Sequence, residues 1–158
     1  MLVTRYKFGG QPAWADLFAT LLVEVPDIAA LLGGLQRQDW LLPVPLSTER
    51  LGERGFNQSW ELTKALTRHS AGAATTDARL LQRIRHTRPQ SQLKRSERLA
   101  NVHGAFLVDP LRAGEMRGRR VVVVDDVMTS GASMYAAARA LKEAGAAHVT
   151  ALVLARTA

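Results

Sequence analysis

Arg120-Val-Val-Val-Val-Asp-Asp126 constrains the fold of this chain more than any other stretch. Four consecutive β-branched residues favour an extended backbone. The run lacks the apolar–polar alternation of a strand with one wet face. It therefore predicts a strand buried on both faces, as at the centre of a parallel sheet. The residues downstream agree. Residues 132–144 place Met134, Ala137, Ala138, Leu141 and Ala144 on one helical stripe, with Gly145 as the stop. Val149-Thr-Ala-Leu-Val-Leu-Ala155 is then a further apolar run. Strand, loop, helix and strand form a βαβ unit, which is right-handed almost without exception. The expected class is α/β, with ligands at the carboxyl ends of the strands.

The loop inside that unit carries the chemistry. It reads Asp125-Asp126-Val-Met-Thr129-Ser130-Gly131-Ala132-Ser133. Two carboxylates leave the strand end as acceptors, suited to vicinal hydroxyls or to a hydrated divalent cation. Small hydroxylated residues and a glycine then open a helix N-terminus, where backbone N–H groups and the helix dipole favour phosphate. Diol-binding acids beside a phosphate cradle describe a site for a ribose 5-phosphate. The plainer alternative is that Asp126 or Ser130 only caps the helix. Competing motifs are missing: no G-x-x-x-x-G-K-[ST], G-x-G-x-x-G, G-x-S-x-G or H-E-x-x-H occurs. A phospho-receiver domain would need a later Asp, and none of the 32 residues after Asp126 is one.

The rest of the chain is patterned more coarsely. Residues 12–25 predict a helix with Trp14, Leu17, Phe18, Leu21, Leu22 and Val25 on its buried face. A short helix over Asp27–Leu32 is stopped by Gly33-Gly34. Trp40–Leu46 reads as a buried strand entering a proline-stiffened loop. A helix over residues 57–69 comes next, with Asn57 as its cap or as a ligand contact. Leu80–Ile84 and Ala105–Val108 are candidate strands. Residues 86–103 between them are polar, basic and poorly patterned, and predict a long functional excursion in which His86 and His103 could touch phosphate.

Charge and composition sharpen the ligand class. The 158 residues suit one domain, residues 1–158, and none is cysteine, which excludes disulfides and thiolate metal sites. The formal net charge is +7. Residues 79–120 hold 11 basic and 3 acidic residues, a net of +8, so the remainder is close to neutral. Such a field favours anions: phosphate groups, nucleotides or nucleic acid. No apolar run approaches the roughly 20 residues that span a bilayer, and the start has no signal-peptide pattern. A cytoplasmic protein without a membrane partner is expected.

Val121 through Ser133 resembles the PRPP-binding motif of type I phosphoribosyltransferases. Two further stretches, Pro43-Val-Pro-Leu46 with Arg50-Leu-Gly-Glu-Arg-Gly-Phe-Asn-Gln58, and Arg85-His-Thr-Arg-Pro-Gln90 with Leu93, Arg98, Asn101, Gly104 and Phe106, resemble the ComF family, competence-associated proteins that include the GntX type. The resemblance implies a type I phosphoribosyltransferase fold with a small hood and a flexible loop. It also implies that Asp125 and Asp126 bind the ribose hydroxyls as the catalytic pair, and that Thr129, Ser130, Gly131, Ala132 and Ser133 hold the 5′-phosphate. Arg50 and Arg54 would face pyrophosphate. Arg88, Lys94, Arg95 and Arg98 would charge the flexible loop. Mg²⁺ would enter mainly with PRPP, with Asp125 and Asp126 as its only candidate protein contacts. The implied activity is transfer of ribose 5-phosphate to a nitrogen acceptor, a base that the sequence does not identify. The other reading is a non-catalytic PRPP or nucleotide sensor, or an accessory of the DNA-uptake machinery. A homodimer is among the expectations. Many ComF proteins carry a cysteine-rich zinc-binding N-terminal module, and this sequence is expected to lack it.

Overall fold

The computed structural model describes residues 13–84 and 105–157. In chain order these form α1 (Trp14–Val23), α2 (Pro26–Gly33), β1 (Trp40–Pro43), α3 (Thr48–Arg54), α4 (Gln58–His69), β2 (Leu81–Arg83), β3 (Phe106–Val108), a 3₁₀ turn (Ala113–Met116), β4 (Arg120–Met128), α5 (Ala132–Glu143) and β5 (His148–Arg156). Strands β1, β4 and β5 make a parallel sheet with β4 in the middle. Trp40 lies opposite Val121 on one side of β4, and Val149 lies opposite Val121 on the other. Strands β2 and β3 pair antiparallel as a separate two-stranded piece.

The unbroken valine run has a direct physical reason. Val121 and Val123 pack with Trp40, Leu42, Phe106, Met116 and Leu141 on one face. Val122 and Val124 pack with Phe18, Leu41, Leu62, Leu66 and Leu152 on the other. A strand with helices on both faces has no wet side to alternate toward. The fold is α/β, with a parallel central sheet flanked by helices.

The buried strand running into a proline-stiffened loop is found as β1, Trp40–Pro43, with the Val44 N–H still donating to Val124 O at 2.9 Å. Two expectations are corrected. Strand β4 does not stop at the acids but runs on to Met128, so Asp125 and Asp126 lie within it. Helix α1 buries Ala15, Phe18 and Ala19, whereas Leu17, Leu21 and Val25 stay exposed. The alanines allow α1 to approach α4 closely, and this moves the buried stripe away from the largest side chains.

Part of the positive charge has a structural role. The Arg120 guanidinium is held by Asp39 and by the Gly34 carbonyl oxygen. Arg112 pairs with Glu115 and Asp77, and lies over the Trp40 ring at 5.8 Å. Burial pushes the Asp39 carboxyl up, but the N–H groups of Gln36 and Arg120 and the Arg120 guanidinium outweigh it and hold the group below its ordinary value. No helix among the described residues is long and apolar enough to cross a membrane.

Candidate functional site

Two adjoining cavities open at the carboxyl end of the parallel sheet, sharing Asp125, Val127, Thr129 and Ser133 in their walls. The larger, about 250 Å³, is also lined by Pro45, Arg50, Arg54, Asn57, Gln58, Ser59, Arg83 and Asp126. The smaller, about 60 Å³, is closed by Ser130, Gly131 and Ala132. The structure thus brings together all the sequence-derived candidates that lie among the described residues. Arg88, Lys94, Arg95 and Arg98, with His86 and His103, lie outside the described residues.

The small cavity is shaped by one turn. Gly131 caps α5 at φ 81°, a left-handed conformation that side-chain-bearing residues rarely adopt. A Cβ there would meet only the Met128 Sδ, at 3.6 Å, so the requirement for glycine is conformational rather than steric. The Ala132 N–H donates to Ser130 Oγ at 3.3 Å, tightening the loop around the helix start. The helix dipole and the remaining first-turn N–H groups favour an anion here.

The acid pair is ordered through one oxygen of each carboxylate. Asp125 Oδ1 accepts from the Ser59 hydroxyl at 3.0 Å and from the Asp126 N–H at 2.9 Å. Asp126 Oδ1 accepts from the Val127 N–H at 2.8 Å, while its Oδ2 is buried with no hydrogen-bond partner. Burial, then the adjacent Asp126 charge, push the Asp125 carboxyl up to about 7. A buried acceptor with no donor is costly to maintain. This pair therefore suits a ligand that brings hydroxyl donors or a cation. Among the described residues no group of three or more His, Cys, Asp or Glu side chains could hold a metal. Two carboxylates fit a hard divalent ion whose other ligands come from substrate and water.

The opposite wall is cationic. Arg50 and Arg54 were expected on a loop; they lie on α3, which Ser47 caps by accepting from the Arg50 N–H. This short helix follows the proline segment because Ser47 provides the start that the expected loop lacked. Arg54 Nη1 donates to Gln58 Oε1 at 3.4 Å. Arg83 enters from β2, its guanidinium over the Phe106 ring at 5.0 Å. Burial lowers the Arg83 pKa and the Arg50 charge lowers it further, with Asp125 opposing. Cations crowded on one wall favour an anion of more than one charge.

Asn57 serves as the cap. Its Oδ1 accepts from the Ser59 N–H at 3.0 Å, and its Nδ2 donates to the Val44 carbonyl at 3.1 Å. It therefore fastens the start of α4 to the end of β1. Asn57→Ala is expected to lose about 1–2 kcal/mol in urea unfolding. Asn57→Asp retains the capping acceptor but not the Nδ2 donor, and should lose less.

Sequence reasoning missed Ser59, Gln58 and Arg83. Arg83 was legible: it stands two residues after Leu81, and period-two alternation places both on the inner face of β2. Ser59 and Gln58 were not, because their partners come from the packing of α4 against the sheet end and α3.

Comparison with known proteins agrees with this architecture. The phosphoribosyl transferase domain model matches residues 76–158. The DNA utilization protein YhgH of Salmonella typhimurium is 35% identical over 157 residues, covering 99% of this chain and 66% of that protein. Competence protein F of Haemophilus influenzae is 31% identical over 157 residues, covering 99% of this chain and 67% of that protein. Competence protein ComFC of Bacillus subtilis is 36% identical over 118 residues, 74% of this chain and 44% of that protein. The chain therefore spans about two thirds of the length of the first two. A hypoxanthine phosphoribosyl transferase of Trypanosoma cruzi superposes with a TM-score of 0.54 at 12% identity, over 92% of this chain and 75% of that one. At that identity the likeness is one of fold.

Proposed function

We propose that this chain, which belongs to the phosphoribosyl transferase domain family in its ComF-like branch, binds PRPP and transfers its ribose 5-phosphate to a nitrogen acceptor. One observation carries the reading: the acid pair lies between the glycine-capped α5 turn and the cationic wall, within adjoining cavities. PRPP has the same order of groups: a 5′-phosphate, a ribose diol and a pyrophosphate. Thr129 through Ser133 would receive the phosphate. Asp125 and Asp126 would accept from the diol. Arg50, Arg54 and Arg83 would take the pyrophosphate.

The chemistry stems from those positions. Departure of pyrophosphate leaves an oxocarbenium-like C1 and concentrates negative charge on the leaving group. Guanidinium groups fixed before the reaction stabilise that charge without reorganising. The carboxylates hold the ribose and place negative charge near the electron-poor ring. Asp125 and Asp126 would hold a magnesium ion, which when bound would neutralise charge on the pyrophosphate.

The test is a calorimetric titration of PRPP with Mg²⁺, followed by an assay of pyrophosphate release with a panel of nucleobases. Micromolar binding and base-dependent release support the transferase. Failure of folded protein to bind PRPP sinks it. The names of the relatives favour a second reading, in which PRPP or a nucleotide is sensed without turnover in DNA utilisation or competence. Binding without release for any base supports that one.

A further inference from the structure

We propose that Ser59 is a positioning residue that aims the Asp125 carboxylate at the ribose hydroxyls. The inference rests on the assignment of a PRPP site to this cavity. Ser59 is buried at the start of α4, and its hydroxyl reaches Asp125 Oδ1 at 3.0 Å, across 66 residues of sequence. The rest of Ser59 is fixed as well. Its N–H donates to Asn57 Oδ1, and its carbonyl accepts from Thr63 Oγ1 at 2.6 Å. Asn57 in turn is tied to Val44 at the end of β1. A chain of hydrogen bonds thus runs from one strand end to the acid on the neighbouring strand.

The hydroxyl has a definite task there. Asp125 and Asp126 are adjacent like charges, and an untethered Asp125 would swing away from its neighbour. With Oδ1 held by Ser59 and by the Asp126 N–H, Oδ2 remains for a ligand donor. A carboxylate held in one rotamer before binding loses less freedom on binding. Ser59 itself needs no contact with the ligand for this.

Ribose 5-phosphate and inorganic phosphate distinguish the roles, because only the first brings a diol. Both are titrated into wild type, Ser59→Ala and Ser59→Thr, with folding checked by circular dichroism. Ser59→Ala keeps the backbone cap and is expected to weaken ribose 5-phosphate about tenfold, because the Asp125 carboxylate is no longer held in one rotamer before binding. Inorganic phosphate should bind it as it binds wild type. Ser59→Thr restores the hydroxyl and should restore the ribose 5-phosphate affinity. Equal ribose 5-phosphate binding by wild type and Ser59→Ala overturns the inference and leaves the PRPP reading intact. So does a parallel loss of both ligands without rescue by threonine, which marks a structural role only. If wild type binds neither ribose 5-phosphate nor PRPP, the site reading itself fails and the inference falls with it.

Discussion

Replacing both acids, Asp125→Asn with Asp126→Asn, is expected to weaken PRPP binding about 100-fold or more while leaving the protein folded. The folded state survives because each carboxylate takes its hydrogen bonds on Oδ1: from Ser59 and the Asp126 N–H at Asp125, and from the Val127 N–H at Asp126. Asparagine keeps an Oδ1 acceptor in both places. What changes is Oδ2, which becomes a donating NH₂. Hydroxyls that would donate to Oδ2 then meet another donor, and a shared cation loses both charges. A hydrogen bond to a charged group contributes about 1.5–3 kcal/mol, so two lost together give the stated factor. Calorimetry on wild type and the double variant measures it. Wild-type affinity in the double variant would remove the acids from the site.

The same variant should abolish a pH dependence. The Asp125 carboxyl is raised to about 7 in the folded chain, against an ordinary carboxylate value of 3.8. Between those values the folded state holds the proton more tightly than the unfolded state. Stability from this group is therefore fully present below about pH 4 and is lost as pH rises through about 7. Asp16, Asp39 and Asp77 shift the other way, lowered by their hydrogen-bond partners, so their contribution is lost only as the solution becomes strongly acidic. Ligand-free wild type should thus melt at lower temperature at pH 8 than at pH 5.5. The double variant should lack this decline and should melt above wild type at pH 8. A wild-type melting temperature flat across that range would refute the assignment.

These two results depend on residues that the sequence displayed openly. Asp125 and Asp126 follow four valines whose lack of alternation marks a central strand, and the βαβ order places them where such sheets bind ligands. The Thr129–Ser133 loop is similarly local, since a helix start and its capping glycine are written in neighbouring residues. Ser59 and Gln58 are a different case. Each side chain acts on a partner brought to it by tertiary packing, and no periodicity encodes that. The exposed Leu17 and Leu21 failed for a related reason. Hydrophobic size predicts a buried stripe, but helix–helix approach was set by Ala15 and Ala19. The charge count also merged two populations. Arg112 and Arg120 hold the fold through Asp77, Glu115 and Asp39, whereas Arg83 lines the cavity.

Gly72→Ala is expected to destabilise the protein by about 3 kcal/mol or more, lowering the melting temperature by roughly 10 °C. A Cβ at Gly72 would lie 1.9 Å from the Leu32 carbonyl oxygen and 3.0 Å from its carbon, both backbone atoms of α2. No side-chain rotation relieves that contact, so one backbone segment has to move. Neither moves freely. Leu32 is buried in the core under α1 and α4. The segment after Gly72 is laced down by Ala73 N–H to Leu35 O at 3.1 Å, Thr75 N–H to Asp39 O at 3.0 Å and Leu41 N–H to Thr75 O at 3.0 Å. Lifting it breaks those bonds and frees the flank of β1. Gly33→Ala is the matched control, one residue along α2, where an added Cβ meets nothing within 4 Å. Alanine favours a helical backbone over glycine, so that variant should melt at or slightly above the wild-type temperature. Opposite signs at Gly72 and Gly33 would locate the effect in the close approach to Leu32. Similar losses in both would instead indicate that the end of α2 tolerates no substitution.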